Sequence, residues 1–301
     1  MANVLIPIDY SFPSHNAYHF GLYLAKKMGL GVVLVHYYEG SFNPTEHFVV
    51  SGGGSIHESH LNQLRHFAYP SGDGSNYAIV EPPQGVELTY EAAVSLAPSA
   101  DILKRAAQPD IALVVMATRS TRRVLGSWLG STSTTVSEAS VRPVFLVPPQ
   151  APFSEFKRIV VANNHATAEP YPLWQIEGLA DLYGAMVHFV HVEHPKKDLP
   201  LRFTPWQLME QLVDEQLGAE YPFEIVSVEN KDIAKGLLEF SDTVNADLLV
   251  IFNQRRSRWH ALLRATLTQS LALRAQLPVL VLHTEAPAVA EDAMNAYQEK
   301  E

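Results

Sequence analysis

The sequence predicts an α/β protein built from two repeated, doubly wound, five-stranded parallel sheets. Three observations carry that reading. The first is an internal repeat. Leu24-Ala25-Lys26-Lys27-Met28-Gly29-Leu30-Gly31-Val32-Val33-Leu34-Val35-His36 aligns with Leu179-Ala180-Asp181-Leu182-Tyr183-Gly184-Ala185-Met186-Val187-His188-Phe189-Val190-His191 at an offset of 155, with six of thirteen positions identical. Self-similarity at that spacing means two copies of one domain. The second is a set of short, continuously apolar segments, as strands buried on both faces show. The third is the alternation of strand and helix with short links, which requires parallel crossovers.

The elements follow in order. Residues 3–8 of the first copy are a continuous apolar run, read as a strand. A helix over about 13–28 stops at Gly29, a good residue for a left-handed helix end. Further strands are expected at 31–37, 86–90, 111–116 and 143–147, with helices near 58–67, 97–107 and 131–140. In the second copy, strands are expected near 158–162, 186–192, 223–228, 247–252 and 278–282, and helices near 170–183, 204–217, 231–243 and 265–275. The opening strands Val4-Leu5-Ile6-Pro7 and Ile159-Val160-Val161-Ala162 share the offset of 155, whereas Pro143 and Pro278 at the closing strands are 135 apart, so the first copy holds about 20 extra residues. They fall within about 40–85, where Ser51-Gly52-Gly53-Gly54-Ser55, Ser71-Gly72-Asp73-Gly74-Ser75 and Pro82-Pro83-Gln84-Gly85 read as loops. The domains are therefore 1–150 and 151–284, joined at Pro148-Pro149-Gln150-Ala151-Pro152, with a polar tail over 285–301.

Composition excludes several function classes. Apolar residues are 47% and charged residues 18% of 301, enough for large cores and too little charge for a disordered chain. The net charge of −10 opposes nucleic-acid or anionic-membrane binding. Cysteine is absent, which excludes disulfides, thiolate catalysis and cysteine-ligated metals. The apolar runs are far too short to span a membrane, and Met1-Ala2-Asn3 carries no charged leader. A soluble cytoplasmic protein is expected. His57, His60 and His66 have no carboxylate pair at ligand spacing, so no metal is expected there.

Ligands of doubly wound sheets sit at the C-terminal strand ends, at the topological switch point. Three segments of the first copy meet that edge: Pro7-Ile8-Asp9-Tyr10-Ser11, His36-Tyr37, and Met116-Ala117-Thr118-Arg119-Ser120 followed after nine residues by Gly130-Ser131-Thr132-Ser133. A helix opening at 130–133 offers unpaired N–H groups and a partial positive charge, and Gly130, Ser131 and Thr132 suit a phosphate. Seven of the 22 basic residues lie in two short loops, as Arg119, Arg122 and Arg123, and as Arg255, Arg256, Arg258 and Arg264. An anion held there, and a solvated basic surface facing the protein's own carboxylates, are both open readings. Asp9 likewise has two: ligand contact, or capping of the next helix. His36 and His191 end equivalent strands, which points to a shared structural hydrogen bond.

With these residues the sequence resembles the universal stress protein family, twice over the whole chain. The family's third segment reads G-x2-G-x9-G-[ST] and binds ATP phosphates and ribose, and its acidic residue after the first strand binds the adenosine part. The resemblance implies a Rossmann-like fold of the adenine-nucleotide alpha-hydrolase type. It also implies one adenine nucleotide in the first copy, with Pro7, Asp9, Tyr37, Met116, Ala117, Arg119, Ser120, Gly130, Ser131 and Thr132 as its contacts. Ala117 and Ser120 stand where the motif has glycines. In the second copy Asp9 becomes Asn164, and Phe252-Asn253-Gln254-Arg255 leads after nine residues to Ala265-Thr266, with no glycine left. That copy reads as a structural partner. No carboxylate pair or Ser/His/Asp set falls on one site, so no catalysis is expected beyond slow, incidental ATP hydrolysis. Two functions remain open: a regulatory stress-response protein holding one nucleotide, or an interaction scaffold without one that acts through an unidentified protein partner.

The final strands Val144-Phe145-Leu146-Val147 and Val279-Leu280-Val281-Leu282 are apolar on successive residues, with no Lys, Pro or Gly to blunt an exposed edge. Pairing of these two strands within one molecule, as an intramolecular pseudo-dimer, would protect both. The linker Pro148 to Lys157 is ten residues long, with a reach of about 33–36 Å. A homodimer is compatible with this pattern but not required by it. An experimental structure with 144–147 and 279–282 at separate, solvent-facing edges would refute the pairing.

Overall fold

A computed structural model describes residues 1–43, 48–50, 54–69, 81–118, 132–163, 173–193, 220–253 and 267–283. The chain divides into two units, Met1–Phe153 and Ser154–Glu301.

In the first unit the elements run β1 (Asn3–Pro7), α1 (Phe12–Met28), β2 (Gly31–Tyr38), β3 (Ser41–Asn43), β4 (Phe48–Val50), α2 (Gly54–Ala68), β5 (Leu88–Val94), α3 (Pro98–Ala106), β6 (Ile111–Ala117), α4 (Thr132–Ala139) and β7 (Val144–Val147). Its sheet has the order β5-β2-β1-β6-β7, with every pair parallel. In the second unit they run β8 (Arg158–Ala162), α5 (Leu173–Tyr183), β9 (Met186–Glu193), β10 (Phe223–Glu229), α6 (Ile233–Thr243), β11 (Leu248–Asn253), a helix over 267–274 and β12 (Val279–His283). Its sheet order, β10-β9-β8-β11-β12, is the same topology, again all parallel. In each unit the first strand is central, and the chain winds first to one side of it and then to the other.

The apolar runs become the core. Val4, Leu5 and Ile6 of β1 are fully buried, and so are Val160 of β8 and Leu248, Leu249 and Val250 of β11. Helix α1 lays Tyr18, Leu22 and Leu24 into the first core. Its start is capped by Ser11, whose Oγ accepts from the N–H of Ser14 at 3.3 Å. Its end is Gly29 at φ 67°, with the Leu30 N–H donating back to Ala25 O at 2.9 Å. The second unit repeats this ending at Gly184, φ 59°, with the Ala185 N–H donating to Ala180 O at 2.9 Å. Both are helix ends that require left-handed backbone.

Two differences from the sequence reading have physical causes. The segment read as loop around 40–55 contains an antiparallel pair, β3 with β4, and Gly54 and Ser55 belong to α2. Three-residue strands are too short to show periodicity. Strand β5 spans 88–94, later than the expected 86–90, because Gly85 at φ 91° and the Val86 N–H bond to Pro83 O hold the preceding residues in a turn. Its second half, Glu91-Ala92-Ala93-Val94, is mostly half-buried and mixed in polarity, so the rule of a continuous apolar run passes over it. The expected helix at 204–217 and the tail at 285–301 lie outside the described residues.

No side chain within 4 Å would obstruct a methyl group at Gly29 or Gly184, so replacing either tests backbone conformation alone. Gly29→Ala and Gly184→Ala should each destabilise the chain by about 1 kcal/mol, read as a lower midpoint in urea unfolding with an unchanged slope.

Candidate functional site

At the C-terminal edge of the first unit, β1 is flanked by β2 on one side and β6 on the other. The links that leave them run in opposite directions, and a cleft of about 400 Å³ opens between them. Its walls come from six segments: Pro7, Ile8 and Asp9 after β1; Ser11, Pro13 and Ser14 at the start of α1; Val35 and Tyr37 of β2; Pro98 and Ile102 of α3; Met116 and Ala117 of β6; and Thr132 and Ser133 of α4. Six of the ten residues singled out from sequence thus line one cleft: Pro7, Asp9, Tyr37, Met116, Ala117 and Thr132. Arg119, Ser120, Gly130 and Ser131 lie outside the described residues.

The turn after β1 is tightly organised. Asp9 Oδ1 accepts from the Ser11 N–H at 3.0 Å and from the hydroxyls of Ser11 and Ser14. The Asp9 N–H in turn donates to Ser14 Oγ at 3.2 Å. Asp9 therefore shapes the entry to α1, as a capping residue does, while standing exposed at the cleft mouth. Tyr10 follows with φ 61°, left-handed backbone that is uncommon for a residue with a side chain. Its ring packs at 4.5 Å from His36 and 5.8 Å from Phe67, which holds it in that conformation.

Each strand end is closed by a histidine. The Ile8 N–H donates to Val35 O at 2.8 Å, and His36 Nδ1 lies 2.8 Å from Ile8 O. A carbonyl only accepts, so this nitrogen carries the hydrogen. In the second unit the Asn163 N–H donates to Val190 O at 2.8 Å, and His191 Nδ1 lies 3.1 Å from Asn163 O. The hydrogen bond expected from the repeated histidine is present in both units.

The α3 wall was not visible in the sequence. Pro98 and Ile102 belong to no chemical motif; they reach the cleft because α3 is fixed from both ends. The Tyr37 hydroxyl donates to Asp101 O at 3.2 Å, and burial pushes its pKa up to about 12. Ser95 Oγ accepts from the Ala97 N–H at 3.1 Å and donates to the Asp101 carboxylate. At the other end the Arg105 guanidinium binds the Glu91 carboxylate of β5 through Nε and Nη2 at 2.9 Å each, and that of Asp110 through Nη1 and Nη2 at 2.9 and 2.8 Å. These bonds hold the Asp110 carboxyl below the ordinary carboxylate range.

The equivalent edge of the second unit has different chemistry. Val192 stands where the first unit has Tyr37, and Ala162 where it has Pro7. Phe252 is the next-to-last residue of β11, and Asn164 lies outside the described residues. Among the described residues no group of three or more His, Asp or Glu is placed to hold a metal, and no helix is long and apolar enough to cross a membrane.

The model of the universal stress protein family matches residues 1–148 and again 155–283. A universal stress protein from Archaeoglobus fulgidus DSM 4304 superimposes with a TM-score of 0.66 at 16% identity, covering 94% of this chain and 98% of that one. A putative universal stress protein from Pseudomonas aeruginosa UCBPP-PA14 gives 0.56 at 13% identity, covering 94% and 93%. The functionally unknown protein PA1789 from Pseudomonas aeruginosa PAO1 gives 0.55 at 11% identity, covering 100% and 98%. No curated protein matches the sequence.

The bonds to Asp9 make a prediction that needs no ligand. Asp9→Ala should cost about 1 kcal/mol of stability through the loosened start of α1, measured by denaturant unfolding of nucleotide-free protein. Asp9→Asn, which keeps an acceptor oxygen, should lose less.

Proposed function

This chain belongs to the universal stress protein family, in a tandem arrangement, and from that premise we propose that its first unit binds one adenine nucleotide in a regulatory role. The observation that carries the reading is the cleft at the switch point, where Asp9, Tyr37, Met116 and Ala117 converge on the start of α4. A helix N-terminus favours a phosphate, and Val35, Ile102 and Met116 give the cleft an apolar side for a base. Arg119, Ser120, Gly130 and Ser131 complete the proposed contact set at the phosphate end. The second unit serves as a structural partner. On this reading ATP turnover is slow and incidental to binding.

A second reading has its own support. Ala117 lines the cleft where the motif calls for glycine, and Asp9 is already engaged by Ser11 and Ser14. On that reading the cleft holds no nucleotide, and the protein works as an interaction scaffold in the stress response.

Denaturing the purified protein and identifying released compounds by absorbance and mass spectrometry separates the two. The nucleotide reading expects an adenine nucleotide at a stoichiometry of about one per chain. Calorimetric titration with ATP should then show a single site, abolished by Gly130→Val, which pushes bulk into the phosphate position, and unchanged by Asn164→Ala. Two equal sites, or binding that survives Gly130→Val, would overturn it.

A further inference from the structure

The insertion helix α2 covers a cluster of imidazoles that the nucleotide reading does not use. Its buried face carries His60, Leu64, Phe67 and Ala68. His60 stacks on Tyr38 of β2 with ring centres 3.8 Å apart, and its ring lies 5.4 Å from that of His36. Phe67 meets His15 of α1 edge-on at 5.3 Å, and His15 meets His19 at 4.2 Å. The Tyr18 hydroxyl donates to Ala68 O at 3.4 Å. Four histidines from three elements therefore line one contact, joined through Phe67 and Tyr10.

We propose that α2 is an acid-releasable clamp, docked on α1 and β2 while His15, His19 and His36 are neutral and undocked when they take up protons. The inference stands apart from the nucleotide reading. An imidazolium has two N–H donors to satisfy, and a buried charge without partners is costly. His19 Nε2 and His60 Nδ1 are buried with no hydrogen-bond partner among the described residues. His15 and His19 would place two positive charges in ring contact.

The titratable groups around the cluster come from four elements of the first unit. The turn after β1 contributes Asp9 and Tyr10, α1 contributes Tyr18, β2 contributes Tyr38 and β5 contributes Tyr90. Asp9 is the carboxylate that acts on His36, and it favours the charged form. Arg65 of α2, which is paired with Glu58 on the exposed side, adds positive charge near Tyr90. Burial lowers the pKa of His15. Burial, with repulsion from His15, lowers that of His19 to about 4. Burial lowers that of His36, against the hydrogen bond to Ile8 O and with help from His60.

The sign follows. Released, His15, His19 and His36 titrate near 6.5, and docked they titrate lower, so between those values the undocked form binds more protons. Docking is complete above about pH 6.5 and weakens as pH falls toward 4. Because Tyr10 is held between His36 and Phe67 and directly follows Asp9, release of α2 also loosens the edge of the cleft.

The test is hydrogen exchange of the full chain at about pH 7.5 and pH 5, corrected for intrinsic rates. Peptides covering 54–69 should lose protection at least about tenfold at the lower pH, while those covering β1 and β6 keep theirs. His15→Gln with His19→Gln should flatten the response. Loss in α2 no greater than in β6, or a pH response unchanged in the double variant, would overturn the proposal. Should that variant fail to fold, NMR titration of the unmodified protein decides it. His15 and His19 midpoints near 6.5, with no loss of α2 protection, would overturn the proposal; depressed midpoints accompanied by that loss would support it.

Discussion

A central parallel strand has to stop somewhere, and at its last residue the neighbouring strands no longer supply partners for its backbone. In this protein that problem is solved by an imidazole. Ile8 gives its N–H to Val35 and its carbonyl takes the Nδ1 hydrogen of His36. A buried carbonyl left unpaired would cost about 1–3 kcal/mol. The bond also fixes the direction in which the chain leaves β1, and so the positions of Asp9, the Ser11 cap and α1. Three segments of the cleft wall, Pro7 to Asp9, Ser11 and Pro13 to Ser14, follow from that exit. Asn163 and His191 reproduce the arrangement in the second unit, where the cleft residues differ. What the two copies share, then, is the device that ends the strand and the glycine that ends the first helix. Where they part is at the ligand edge, with Tyr37 against Val192 and Ala117 against Phe252.

Much of the architecture was legible because strands buried on both faces have no solvent side and are written as unbroken apolar runs. β1, β6, β8 and β11 fall within a residue or so of their expected bounds for that reason. β5 did not, because it is mostly half-buried and mixes Glu91 with Ala92 and Ala93, which gives no unbroken run to find. The β3–β4 pair was hidden by its brevity. At the candidate site, Pro7, Asp9, Tyr37, Met116, Ala117 and Thr132 were legible as strand ends and a helix start meeting at a switch point. Pro98 and Ile102 were not. They come to the cleft through the tertiary position of α3, and no spacing in the sequence encodes the bond from Tyr37 to Asp101 or the double fork of Arg105.

The Asp9 turn also shows why chemical readings of one residue should not be treated as exclusive. The carboxylate accepts from Ser11 and Ser14, and the same residue stands at the cleft mouth. Capping and ligand contact are compatible because a carboxylate has two oxygens and about four acceptor sites. A turn braced in this way is also pre-organised, so a ligand that uses it has little backbone to order on binding.

The shared strand order has a consequence for how the chain reaches this structure. No pair in either main sheet is a hairpin among the described residues. Asn3 pairs with Ile111, and Ile159 with Leu248. Loops of that length must close before the central strand is complete, which slows folding and prolongs the exposure of unpaired apolar edges. The sequence then offers each central strand two related neighbours, because β2 and β9 share three residues of five over Val32–His36 and Val187–His191. Nascent chains therefore face a kinetic competition between correct closure and exchange of equivalent strands. Order of synthesis favours correct closure: the described strands of the first unit all lie within residues 1–147, ahead of β9 in the chain.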